Sequence, residues 1–472
     1  MTNDSSPESS ASDAKSETGD PAPSASMDQQ HDIAAAADTP PIPASSRGEG
    51  SGEGPIKLPA ARHAAPKVSV FALRQTFSSL GVSDFRRMWL GLLFISGAQN
   101  MQHVARSYLV YELTGSGKLL ALVGAGAAMP MLGLGLFGGA LADRLDRKRL
   151  IQASQVVIAG IGLYVGVSVY NGSVTWGLLL ASSLIQGVMM SFLAPARQSL
   201  IPQLVGQARL NNAMALSSAG SSVFTLATPA VAGVMYAVTG PEWVFFSTAV
   251  MSVAAIVLMQ YVHSPGPAPR SPRAAMLTDI NVGVRYVMAS TQLRAIMMLL
   301  LSVFLFLHTV TFLLPAIVTD VYQKQSEAYG ALVSMQGVGA LAGAIIFAGL
   351  ANFRRGKLLI YSCLLTALAL VALSLVPVYA VALVIMSLVG VGESGRRILS
   401  QALLMQEAED RLRGRVVSIQ IMMAGLMPLV TLPSGVAMDL LGAQVTVGLL
   451  AAALLATTLF VLFTQRSLLD LQ

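Results

Sequence analysis

The chain has 472 residues, of which 54% are hydrophobic and 11% charged. Soluble domains carry roughly 25% charged residues, so this chain is short of the groups needed to cover a water-facing surface. It is predicted to be an integral membrane protein. The net charge of +6 divides unevenly: residues 1–60 hold 10 acidic and 3 basic side chains, and the remainder 14 and 27. In that remainder the bases cluster in short loops between apolar runs, which argues for membrane topology and against nucleic-acid binding. The single cysteine, Cys363, excludes an intrachain disulfide, and its apolar setting reads as a buried small hydrophobe. No metal framework and no phosphate-binding Gly-x4-Gly-Lys-Ser/Thr loop is visible, and no cofactor is expected.

Residues 1–75 are rich in Ser, Ala, Pro, Asp and Gly, with no aromatic before Phe71. Such a segment cannot bury enough surface to offset its ordering entropy and is predicted to be a disordered cytoplasmic tail. Its start lacks the basic region and apolar core of a signal peptide. From Phe85 onward twelve apolar segments follow, each near the roughly 20 residues that span a bilayer. The first six lie at about 86–110, 120–141, 149–170, 174–196, 212–237 and 242–262. The second six lie at about 294–319, 328–351, 357–377, 379–402, 414–438 and 443–464. The chain thus divides into bundles at 76–262 and 294–472, joined by a polar cytoplasmic linker at 263–293.

Basic residues test this count. With the amino terminus inside, the cytoplasmic loops carry the bases from Arg86 and Arg87 through Arg144–Arg149 to Arg466, whereas Lys118 and Lys324 are the bases outside. A miscounted helix would scramble that alternation, so both termini are predicted to be cytoplasmic. The halves also repeat. Residues 121–150 align without gaps to 331–360, pairing Gly133 with Gly343, Phe137 with Phe347, Gly139 with Gly349 and Arg144 with Arg354. Farther on, the stretch from Ala232 to Gly240 matches that from Ser434 to Gly442. Two parallel six-helix repeats are a transporter plan with the substrate path between them.

The loop Gly139-x3-Asp143-Arg144-x-Asp146-Arg147-Lys148 resembles the signature between the second and third helices of the major facilitator superfamily. That family has glycine where Asp146 stands; the second-half copy has Gly356 there, but Phe353 in place of the acid. Four stretches (Tyr111–Ser116, Ala196–Val205, Leu210–Met214 and Asp410–Arg415) are similar to the bacterial exporter group containing the enterobactin exporter and related drug or secretion transporters. The resemblance implies an all-α membrane fold of twelve transmembrane helices in two pseudo-symmetric bundles. It also implies a gate in which Asp143 pairs with Arg197 at the cytoplasmic end of the fourth segment. The alternative is that these charges only set topology, and Arg147 and Lys148 lean that way. Thr228-Pro229-x-x-Ala232-Gly233 keeps half of the Gly-Pro-x-x-Gly-Gly stretch of exporters in the superfamily, with close packing through small residues as the alternative.

Polar residues at membrane depth are functional candidates. Gln99, His103 and Arg106 fall at i, i+4 and i+7 on one helical face, with Asn100 beside them. Arg106 must face a wet cavity or a partner, or else snorkel to the outer interface. Gln186 and Gln336 are further candidate cavity donors, and Asp320 and Glu112 are placed at the outer interface. Glu393, an acid well inside a segment, is the first candidate for proton coupling. An ion pair with Arg396 or Arg397, three and four residues on, is its alternative. His308 is the second proton candidate, with a packing role as its alternative. Gly133-x-Gly-x-x-Gly138 and Gly390-x-Gly-x-x-Gly395 match a dinucleotide fingerprint but lie inside apolar segments, where glycine serves close packing.

A non-enzymatic secondary transporter is therefore expected. The resemblance implies export of a small amphipathic molecule (drug, siderophore or related metabolite) across the bacterial inner membrane by proton antiport, as a monomer among membrane lipids. An uncoupled facilitator or lysophospholipid flippase, and a non-transporting sensor or scaffold, remain alternatives.

Overall fold

Residues 78–131, 134, 146–206, 209–263, 276–350, 354–409, 412, 416, 419–420, 422–465 and 468–469 are described by the computed structural model. All belong to one unit, Lys67–Gln472. The predicted tail at 1–75 lies outside the described residues.

Thirteen α-helices of ten or more residues occur among the described residues, and no strand does. The first half comprises α1 (Ser83–Thr114), α2 (Gly117–Gly126), α3 (Arg147–Tyr170), α4 (Trp176–Val205), α5 (Leu210–Thr239) and α6 (Pro241–Gln260). After α7 (Met276–Ala289) come α8 (Thr291–Ala316), α9 (Ser326–Gly349), α10 (Arg355–Leu375), α11 (Tyr379–Glu407), α12 (Pro428–Leu441) and α13 (Ala443–Thr464). Nine of the described helices are long and apolar enough to cross a bilayer. Within α1, the polar face containing Arg106 dilutes the apolar character. The segments predicted at 120–141 and 414–438 are seen as the shorter apolar helices Gly117–Met131 and Pro428–Leu441, parts of both falling outside the described residues. The protein is an all-helical, multi-pass membrane protein.

Side chains at the turns explain where helices begin. Ser116, Asp146, Thr175 and Ser290 each accept a bond from a backbone amide in the first turn of α2, α3, α4 and α8, satisfying donors with no partner inside the helix. Gly240 and Gly442 each form a one-residue hinge between consecutive helices, at φ +103° and +85°. A side chain is strained there, and the positions correspond in the two halves. The linker predicted at 263–293 contains a helix the sequence did not announce, α7, and α8 starts three residues ahead of its predicted first residue.

Packing repeats between the halves. The pairs α3–α6, α1–α6 and α3–α4 recur as α10–α13, α8–α13 and α10–α11, while α5–α9 and α2–α12 join one half to the other. The last two pairs exchange under the same pseudo-two-fold relation, as a duplicated bundle requires. Close approach relies on glycine. A Cβ on Gly390 of α11 would overlap the Gln336 carbonyl on α9, and one on Gly339 would overlap that of Ser387. The Gly390–Gly395 stretch is thus a helix-packing surface. The other fingerprint-like stretch, Gly133–Gly138, lies outside the described residues apart from its second position.

Candidate functional site

The polar face of α1 borders a cavity of about 190 Å³. Gln99, His103 and Arg106 all line it, with Gln186 of α4 and Phe312 of α8. Arg106 is 6% exposed, and its Nη1 donates to Oε1 of Gln186 at 2.6 Å. Gln186 Nε2 donates in turn to Oε1 of the fully buried Gln102 at 3.1 Å. This second bond fixes the amide so that its oxygen faces the guanidinium. Arginine at bilayer depth costs about 2.5–3.5 kcal/mol on insertion scales, and one neutral amide offsets only part of that. The side chain points into the cavity, not out to the membrane surface.

The cavity has walls from both halves. The His103 ring meets Phe312 edge-on, with centroids 4.6 Å apart and planes at 89°. Gln99 Nε2 lies 3.6 Å from the Met190 sulfur. Two predicted donors do not join the cavity wall. Asn100 Nδ2 bonds to the Ser96 carbonyl of its own helix at 2.8 Å. Gln336 sits half-buried on α9, with Gly390 packed against its backbone.

Glu393 and Arg396 form a second polar centre on α11. Arg396 Nε and Nη2 grip the two carboxylate oxygens at 2.9 and 2.5 Å, a bidentate fork. Arg396 is 5% exposed, and Arg397 is exposed. His308 lies on α8, half-buried. Its Nδ1 stands 3.0 Å from the Phe304 carbonyl one turn back. The ion-pair alternative for Glu393 is therefore present in this conformation.

At the end predicted to face outside, the halves are tied together. Tyr111 donates to Asp320 at 2.5 Å, and Ser326 Oγ donates to the Gly233 carbonyl at 3.2 Å. Asp439, at the end of α12, accepts from Ser116 Oγ at 2.9 Å, from the Lys118 amide at 3.1 Å and from the Gly117 amide. A carboxylate at the free amides of a helix N-terminus is favoured by both hydrogen bonding and the helix dipole. Gly117 and Gly435 touch below it, and Gly233 and Gly330 make the matching contact between α5 and α9. Pro229 and Gly233 thus face α9 in close packing.

At the opposite end, Gly139, Asp143 and Arg144 lie outside the described residues. Their neighbours have structural partners. Asp146 caps α3 by accepting from the Lys148 amide at 2.9 Å, while Lys148 Nζ donates to the Gln260 and Val262 carbonyls at 2.8 Å. Cations favour a helix C-terminus, so Lys148 closes α6. Arg147 is buried and Arg197 half-buried on α4.

Residues 74–470 match the family described as transmembrane secretion effector. The chain belongs to that family of major facilitator transporters. Among similar curated proteins, a staphyloferrin A transporter of Staphylococcus aureus is 22% identical over 72% of this chain and 86% of its own length. The enterobactin exporter EntS of Shigella boydii is 28% identical over 60% and 67%. Among solved structures, an inward-facing, unoccupied bacterial homologue of the human lysosomal transporter Spinster covers 82% of this chain and 96% of its own, with TM-score 0.62 and 13% identity. The nucleoside transporter NupG covers 80% and 99%, with TM-score 0.65 and 13% identity. These likenesses show the fold, and the transporter is not an enzyme.

Sequence reasoning missed Gln102 and Phe312 at the cavity and Asp439 at the junction of the halves. Gln102 and Phe312 carried no signal, since their roles depend on helices far away in the chain. Asp439 carried one: an acid directly after a predicted apolar segment, at the end where only Lys118 and Lys324 supply positive charge.

Proposed function

We propose that this chain exports a small amphipathic organic molecule, of siderophore or drug type, from the bacterial cytoplasm across the inner membrane by alternating access. Both termini face the cytoplasm and the monomer is the working unit. The observation that carries the reading is a polar cavity with walls from both halves, beneath an outer end where Asp439 and Tyr111 tie the halves together. Such an arrangement loads from the inside, and release requires the halves to rock so that those ties break. The similarity to siderophore transporters supports the substrate class and direction.

Proton antiport is assigned to Glu393. Arg396 and a proton compete for the same carboxylate oxygens. A rocking movement that pulls Arg396 away leaves a buried carboxylate that takes up a proton, and the return expels it. His308 on α8 is the second site through which the proton passes. The test is accumulation of enterobactin, staphyloferrin A and ethidium in everted vesicles energised to an acid interior. The expected result is accumulation of at least one of them, abolished by a protonophore and lowered about tenfold or more in Glu393→Gln, since one lost charge-assisted pair is worth about 1.5–3 kcal/mol. Accumulation that ignores the gradient would establish an uncoupled facilitator instead. Failure of all three compounds to accumulate would overturn export of this substrate class.

A further inference from the structure

Arg106 has one edge of its guanidinium committed and the other unfilled. Nη1 is bonded to Gln186, whereas among the described residues Nε and Nη2, both buried, have no hydrogen-bond partner, and neither has Nε2 of Gln102. Nε and Nη2 are the two parallel donors on one side of the planar fork, spaced to meet both oxygens of a carboxylate. Arg396 uses that same pair of atoms to hold Glu393. Around Arg106 no aspartate or glutamate lines the cavity among the described residues. Among the described residues the charge thus has no counter-ion in the cavity, on a side chain 6% exposed and held in place by a relayed amide network.

We infer that the cavity around Arg106 is an oxyanion subsite, and that the transported molecule carries a carboxylate which docks side-on against Nε and Nη2. The assignment rests on the reading of this cavity as the transport site. The neighbouring surface defines the rest of the ligand. Phe312 and His103 set aromatic rings in the same cavity wall as Arg106, and Met190 adds a polarisable surface. An aryl or otherwise apolar group bonded to the carboxylate fits that surface. A cavity of about 190 Å³ is smaller than the roughly 300–1,000 Å³ of sites that enclose whole ligands. In this conformation it accepts the acidic head of a larger molecule, with the remainder extending toward the interface between the halves. Arg106 thereby sets specificity: it selects acids over their neutral or cationic analogues.

The test uses the full-length chain in lipid nanodiscs and three probes of one shape: 1-naphthoate, its neutral amide 1-naphthamide, and 1-naphthalenesulfonate. Binding is read from naphthyl fluorescence at equilibrium. The expected result is that naphthoate binds at least about tenfold tighter than the amide, a difference of about 1.4 kcal/mol. Arg106→Gln should remove that preference, and Arg106→Lys, which keeps the charge but loses the parallel donors, should retain part of it. Sulfonate binding equal to that of naphthoate would widen the class to any oxyanion and support the subsite. Equal binding of acid and amide by the unaltered protein, or no naphthoate binding at all, would overturn it, as would a preference that survives Arg106→Gln. The comparison of acid with amide needs no variant, so misfolding of Arg106→Gln leaves it decisive. Because no transport is measured, loss of the preference sinks the subsite alone, whereas absent vesicle accumulation sinks the exporter reading.

Discussion

At the scale of single residues, Asp146 shows how a departure from a family pattern can be read physically. The superfamily loop has glycine at this position, and the structure gives the aspartate a specific task as the N-cap of α3. Replacing such a cap by alanine costs about 1 kcal/mol, and by glycine only a few tenths. Asp146→Ala should therefore lower the melting temperature in detergent measurably, while Asp146→Gly, which restores the family residue, should leave it nearly unchanged. Equal losses in the two variants would show that the cap is not what stabilises this turn. Part of the candidate site could be read from the chain in the same way. The i, i+4, i+7 spacing of Gln99, His103 and Arg106 is local information, and all three line the cavity. Gln186, picked out only as a polar residue at membrane depth, lies there as well. What bonds to what was not legible: Gln186 reaches Arg106 across 80 positions and Asp439 reaches Gly117 across 322, and no spacing rule spans such separations. Asn100 shows the opposite case, a polar residue adjacent to the face whose amide is taken up by its own helix.

At the scale of helices, the repeat in the sequence was informative because duplication preserves hinges and contacts together. Gly240 and Gly442 occupy matching positions and make matching turns. The linker helix α7 escaped because its polar, proline-bearing surroundings read as loop. Beside the side-chain ties at the predicted outer end, backbone approaches backbone between the halves. A Cβ on Gly435 would meet the Gly117 carbonyl and the Ala121 methyl, so a larger side chain has no room while α2 and α12 touch. In a lipid environment, where no hydrophobic force drives helices together, such close packing through small residues is one of the terms that hold them. Gly435→Leu should therefore hold the outer end apart. With Cys363 replaced by serine and Ser107→Cys installed beside the cavity, a membrane-impermeant maleimide added from outside should label the Leu variant many times faster than its parent. Labelling at the parental rate would mean that α2 and α12 tolerate the added bulk and are not the closing contact.

For the whole molecule, the proposed alternating access requires two sets of contacts to compete for one pair of bundles, with small free energies deciding which is populated. Asp439 contributes only in the conformation in which α2 and α12 meet, because its three partners belong to the opposite half. A carboxylate at a helix N-terminus is worth about 0.3–1 kcal/mol, and up to about 2 when partly buried. Asn keeps one acceptor oxygen and loses the charge, so Asp439→Asn should weaken the closed state by about 1 kcal/mol, or roughly fivefold in the conformational ratio. Unlike Gly435→Leu, it adds no bulk, so the outer end can still close. The same Ser107→Cys labelling should rise by about that factor, and should fall back when Asp439→Glu restores the charge. An unchanged rate in Asp439→Asn would show that glycine packing alone holds the outer end shut. On the proposed alternating-access cycle the size of the effect matters for turnover: a latch much stronger than this would hold the outer end shut, whereas one worth a few multiples of thermal energy would let ligand binding tip the balance.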